Sequence, residues 1–284
     1  MMLASGYTSA LLPLISYPQP TLPASIASAF DAARILNVRL MGLLMEIAPP
    51  PSAGFGPYEM PVVGARIDAE TVKTVANARE IGREFEMHAR ERRLKAELRR
   101  VTCEALDAPG FAAEAARVFD LSIVPLAPSS FTDRELAEGL ISGSGRPCLL
   151  LPHAWAAKPA PFDRVLVAWD GGRAVTRALS DALPLLQRAI DIAVVEVATQ
   201  RAAHAHMLAD VERWLSDHGV HARAQRLEKG RQSVAEVIDE AARLQGADLI
   251  VMGAFGHSRV RDFIVGGVTR SVLTAPRLPV FLSQ

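Results

Sequence analysis

Short apolar runs alternate with longer amphipathic stretches along most of this chain, the pattern of buried strands separated by helices. The pattern is clearest after position 160. Arg164-Val-Leu-Val-Ala-Trp-Asp170 is an apolar run ending in Asp-Gly-Gly, which predicts a buried strand and a turn. Trp169 shares a strand side with Val165 and Val167 and reads as core. Residues 173–188 read as a helix, with Ala174, Ala178, Leu179, Ala182 and Leu186 spaced by three or four. A strand over 190–198, a helix over 203–218 stopped by Gly219, and a strand over 221–227 follow. Ser233 and Glu236 have capping-box spacing, ahead of a helix whose apolar face is Val234, Val237, Ile238, Ala241 and Leu244. The fourth and fifth strands are predicted over 247–253 and 279–283.

The first part repeats this order more loosely. Strands are expected over 11–16, 38–46, 100–106, 121–126 and 147–151. Helices are expected over 23–36, 69–99, 112–118 and 133–140, with a Pro/Gly-rich loop over 49–64. The two fifth strands share a pattern, Gly145-Arg-Pro-Cys-Leu-Leu-Leu-Pro152 against Pro276-Arg-Leu-Pro-Val-Phe-Leu-Ser283. The repeat, with a period of about 140 residues, marks two tandem units. Their expected bounds are 1–152 and 162–284, joined by a linker over 153–161 that carries two prolines. Strands alternating with helices imply α/β domains with parallel sheets and right-handed crossovers. The apolar fifth strands are edges, a liability unless paired, so they are expected to pair across a pseudo-twofold and make one chain a pseudo-dimer.

Composition supports two cores. The chain has 284 residues, half of them hydrophobic, which suits two domains better than one. The 31 basic and 31 acidic residues cancel, so no general attraction to nucleic acid or to membrane phosphates is expected. The charges over 90–100 interleave Glu91 and Glu97 and read as a solvated helix face. The run over 10–15 has no basic region before it and is too short to span a bilayer, so it reads as a first strand and the chain as soluble and cytoplasmic. Cys103 and Cys148 read as reduced thiols. His204 and His206, two apart on a helix, face different ways and do not share a metal.

The candidate chemistry lies near the end of the chain. Leu249-Ile-Val-Met-Gly253 stops in glycine, Gly256 follows, and then Gly266-Gly267-Val268-Thr269 opens a predicted helix. Glycines there let backbone N–H groups approach an anion, and a helix N-terminus adds favourable partial charge. It has the shape of a phosphate cradle without a Walker lysine. The first unit has no counterpart: Ser16-Tyr17-Pro18 stands where the second has Asp170-Gly171, and Pro125 to Pro128 stands where it has glycines.

Gly253-x2-Gly256-x9-Gly266 followed by Gly267-Val268-Thr269 resembles the ATP-binding signature of the universal stress protein family. The departure is Gly267, where the family usually carries Ser or Thr. The resemblance covers nearly the whole chain in architecture and the binding motif only in the second unit. It implies a doubly wound, Rossmann-like five-stranded sheet in each unit, strand order 3-2-1-4-5, with a ligand crevice between strands one and four. It further implies that Asp170 contacts adenosine, that Val197 offers backbone to the base and that Met252 lines the pocket. Gly253, Gly256, Gly266 and Gly267 would approach ribose and phosphates, with Val268 giving an N–H and Thr269 a hydroxyl. Each has a plainer reading beside it: Asp170 as a turn residue, Gly266-Gly267 as helix entry, Met252 as core. His257 and Arg259, between the glycines, either meet phosphates or are solvated.

The function expected is that of a stress-response protein binding ATP or AMP, with or without Mg²⁺. Homodimerisation and an unnamed protein partner are both compatible with the family. Two other classes stay open: a slow ATPase or self-phosphorylating protein, against which the missing phosphate-facing Lys argues, and a nucleotide-free interaction module.

Overall fold

A computed structural model describes residues 6–48, 60–153, 155–156, 161–198, 206–255, 267–274 and 276–284. The first half contains β1 (Ser9–Ile15), α1 (Pro23–Leu36), β2 (Arg39–Ala48), α2 (Met60–Glu91), β3 (Ala96–Glu104), α3 (Ala108–Ala116), β4 (Leu121–Leu126), α4 (Phe131–Gly143) and β5 (Cys148–Pro152). The second contains β6 (Arg164–Trp169), α5 (Arg173–Asp181), α6 (Leu183–Leu186), β7 (Asp191–Ala198), α7 (His206–Asp217), β8 (Arg223–Glu228), α8 (Val234–Gln245), β9 (Leu249–Gly253), α9 (Gly267–Thr274) and β10 (Val280–Ser283).

All ten strands form one sheet in the order β3-β2-β1-β4-β5-β10-β9-β6-β7-β8. Each half therefore has the order 3-2-1-4-5 that the family resemblance implied, and pairing within each half is parallel. The junction is the antiparallel pair β5–β10, with Leu150 opposite Val280, Leu149 opposite Phe281 and Cys148 opposite Leu282. The two fifth strands thus cover one another, and the chain is an intramolecular pseudo-dimer. The carboxyl ends of the strands in the two halves point to opposite edges of the sheet. Burial in the seam pushes the Cys148 thiol up to about 12.

Helices cover both faces. Ile26 and Phe30 of α1, Ile81 and Phe85 of α2, Val175 and Leu179 of α5, and Val211 and Leu215 of α7 pack into one core cluster. Ala112 of α3, Leu140 of α4, Ile238 of α8 and Leu273 of α9 pack into the other. Trp169 lies with Val165 and Val167 in the first cluster, as its strand side required. At Gly42 on β2 a Cβ would stand 2.5 Å from the Phe85 ring, so the glycine admits that aromatic. The Ser233–Glu236 capping box forms: Ser233 Oγ accepts the Glu236 N–H at 3.2 Å and Glu236 accepts the Ser233 N–H at 2.7 Å.

The repeat extends to two aspartates that open the fourth strands. Asp120 Oδ2 accepts the N–H groups of Thr8 at 2.7 Å and Ser9 at 2.9 Å, together with both hydroxyls. Asp248 accepts the N–H groups of Asp163 at 3.3 Å and Arg164 at 3.1 Å. Each ties the start of the first strand in its half to the fourth.

Several boundaries differ from expectation, α3 among them, which runs over Ala108–Ala116 rather than 112–118. The long helix ends at Glu91, and residues 96–99, expected to be helical, belong to β3. Arg93 turns the chain with φ 50°, and β3 is a sheet edge whose charges alternate with half-buried Ala96 and Leu98. That helix also starts at Met60, inside the stretch expected to be loop. The helix over 173–188 is two pieces, because Pro184 has no N–H to continue the ladder.

Candidate functional site

In an open α/β sheet the ligand crevice lies where strand order reverses, beyond the carboxyl ends of the strands. In the second half that point is β6, between β9 and β7. The β6–β7 ladder stops at Trp169–Glu196, whereas β7 continues with Val197 and Ala198 paired to Leu227 and Glu228 of β8. On the other side β9 runs to Gly253, held by Ser283 of β10. The result is a notch above the end of β6, flanked by β7 and β9. Asp170 is the first residue past β6. It is exposed, and its Oδ1 accepts the Gly172 N–H at 2.8 Å, which turns the chain into α5. Gly171 takes φ 70°, a conformation that favours glycine.

The structure brings Asp170, Val197, Met252 and Gly253 to this notch. The Val197 and Met252 side chains are buried in the core. Gly253 has a packing reason of its own. A Cβ there would stand 2.7 Å from the Ala174 carbonyl carbon and 2.9 Å from its Cβ, so only glycine lets the first turn of α5 lie against β9. Gly267 opens α9, with Val268 half-buried and Thr269 buried in its first turn. Gly256, Gly266, His257, Arg259 and His204 lie outside the described residues.

The same position in the first half is closed by its own chain. Ser16 follows β1 as Asp170 follows β6. Its N–H donates to Met45 O at 3.2 Å, and its hydroxyl accepts the Ile47 N–H at 3.1 Å, on the strand edge that corresponds to Ala198. Asn77 of α2 donates to Ser16 O at 3.0 Å. On the β4 side, Thr21 accepts the Ile15 N–H at 2.9 Å and returns its own N–H to Ile15 O at 2.9 Å. Nearby, burial raises the Asp133 carboxyl above its ordinary range, against hydrogen bonds from Ala127 N–H and the Ser130 hydroxyl and the charge of His153. The sequence placed Ser16 opposite Asp170 but did not show its bond to Ile47, and it did not single out Asn77, because both contacts depend on how the elements pack.

The fold is that of a doubly wound α/β protein whose two reversal points differ: Ser16 bonds across to Ile47 at the first, and Asp170 turns back to Gly172 at the second. A model of the universal stress protein family matches residues 161–283. A universal stress protein of Synechocystis sp. is 27% identical over 149 residues, 50% of this chain and 48% of that one, so the chain spans about half the length of this curated relative. Among solved structures, a universal stress protein from Archaeoglobus fulgidus matches 100% of this chain and 99% of its own with a TM-score of 0.67 at 16% identity. A putative universal stress protein from Pseudomonas aeruginosa matches 99% and 94% with a TM-score of 0.56 at 13% identity. At these identities the structural matches show the fold alone. Residues 161–283 are thus a universal stress protein domain, and the tandem two-domain layout of the whole chain is the fold its structural neighbours share. Among the described residues no helix is long and apolar enough to cross a membrane.

Proposed function

We propose that this protein binds one adenine nucleotide per chain, ATP or AMP, in the second-half notch, and acts as a nucleotide-responsive stress protein. Residues 162–284 are the binding domain and 1–152 its closed counterpart. The observation that carries this reading is the contrast at the two reversal points. Ser16 occupies the free strand edge at Ile47 in the first half, whereas Asp170 turns back to Gly172 in the second and the edge at Val197 and Ala198 extends past β6. The base would lie along that edge with Asp170 beside the ribose. The phosphates would meet backbone N–H groups of Gly256, Gly266, Gly267 and Val268 and the hydroxyl of Thr269, with Mg²⁺ as counter-ion. Gly267 supplies an N–H but no hydroxyl.

A second reading, a nucleotide-free interaction module, is favoured by Gly253, whose identity is accounted for by helix packing without any ligand. Mass spectrometry of gently purified protein separates the readings. Co-purifying ATP or AMP is the expected result. Accumulating ADP would point to slow hydrolysis, and an empty protein that also fails to take up added ATP would favour the module.

A further inference from the structure

The first half reaches the notch by another route. Just before β1, Gly6 lies against α6 and Tyr7 against the far end of α5, the helix whose first turn packs on Gly253. A Cβ at position 6 would stand 2.6 Å from Pro184 Cγ, so the chain approaches α6 as closely as glycine allows. Tyr7 is buried, its ring centroid 6.3 Å from that of Phe281 on β10. Its hydroxyl donates to the backbone carbonyl of Asp181, the last residue of α5.

That carbonyl needs an outside donor. Pro184 has no N–H, and the Leu185 N–H turns to Ala182 O at 2.9 Å rather than to Asp181 O. The Asp181 side chain is held as well: it accepts from Ser283 Oγ at 2.9 Å and from Arg177 Nε at 2.9 Å. Nine helical residues span only about 13 Å. The end fixed by Tyr7 and Ser283 is therefore one short rigid element away from the end that forms a wall of the notch.

We infer that Tyr7 is a positioning residue for the second-half site: the closed first half braces α5 through it and sets the wall against which the nucleotide binds. The inference rests on the nucleotide reading above and deepens it. It gives the tandem arrangement a use other than a second site, since half of the brace comes from a domain whose own crevice is shut. The coupling needs no long pathway, only the one helix touched at both ends.

The test is to titrate ATP with Mg²⁺ into the full chain and to follow amide exchange across α5, for the wild type, Tyr7→Phe, Ser283→Ala and Phe30→Leu. Phe30 packs on Phe85, ring centroids 4.9 Å apart, in the first-half core and is the control for general destabilisation. Tyr7→Phe keeps the ring and removes one hydrogen bond, so affinity should fall about two- to tenfold, with faster exchange over 173–181. Ser283→Ala, which removes the neighbouring contact, should act in the same direction and serves if Tyr7→Phe folds poorly. Phe30→Leu should leave both readouts at wild-type values. Wild-type affinity and unchanged α5 exchange in folded Tyr7→Phe and Ser283→Ala would overturn the inference. If the wild type binds no ATP, the nucleotide reading falls and this inference with it as stated, and the exchange data alone then decide whether Tyr7 braces α5.

Discussion

Ser16 Oγ accepts the backbone N–H of Ile47 at 3.1 Å, and through this bond the first half closes the strand edge that the second half extends past β6. Replacing Ser16 by Ala would leave a buried N–H without its acceptor. The expected cost is about 1–3 kcal/mol, read as a lower urea midpoint at unchanged slope. Nucleotide stoichiometry should not change, because Asn77 and Thr21 still fill that crevice. A second ATP bound by Ser16→Ala would show that the hydroxyl alone shuts the first half.

Gly253→Val should unfold the notch rather than merely block a phosphate. Its Cβ would meet backbone and side-chain atoms of Ala174 within 3 Å. Overpacking of this kind costs about 1–3 kcal/mol, occasionally more. Thermal melting without nucleotide should therefore already show a lower Tm. A variant with wild-type Tm and lost binding would assign the glycine to ligand approach instead.

Gly267→Ser tests the departure from the family pattern. A hydroxyl there would add one hydrogen bond to a charged group, worth about 1.5–3 kcal/mol, or roughly ten- to a hundredfold in affinity. Paired titrations of wild type and variant, with circular dichroism as the folding control, should show tighter ATP binding. Unchanged affinity in a folded variant would show that position 267 does not face phosphate.

Acid should loosen the start of β1. Burial pushes the Asp120 carboxyl up, but the Thr8 and Ser9 hydrogen bonds outweigh it and hold the group below the ordinary carboxylate range. A depressed folded-state pKa stabilises the fold above the unfolded value, about 3.9, and this contribution is lost as pH falls through the folded one. Asp120→Asn should lower stability at neutral pH by about 1 kcal/mol, because the group is only half-buried and solvent screens part of its interaction. It should also flatten the decline between about pH 5 and 2. A parallel pH–stability curve in the variant would contradict this role.

The order of strands and helices was legible because each strand is a short apolar run and each helix carries a 3.6-residue stripe. The pairing of the fifth strands followed from their apolar edges. The end of α2 was hidden because the edge strand β3 carries charges on alternate positions, as a solvated helix also can, and the turn at Arg93 has no glycine to announce it. At the site, Asp170, Val197, Met252 and Gly253 could be placed together from strand ends once the family resemblance supplied the strand order. The packing role of Gly253 could not, since it depends on where α5 lands. The bond of Ser16 and the contact of Tyr7 were out of reach for a related reason. One acts through strand register and the other through a partner 174 positions away in the chain.

Calorimetric titration of the full wild-type chain with ATP and Mg²⁺ tests the central claim most directly. One open notch and one closed crevice predict saturation at one nucleotide per chain, with the heat of binding abolished by Asp170→Ala and unaffected by Ser16→Ala. Two equivalent sites per chain, or no binding at millimolar ATP, would contradict the account.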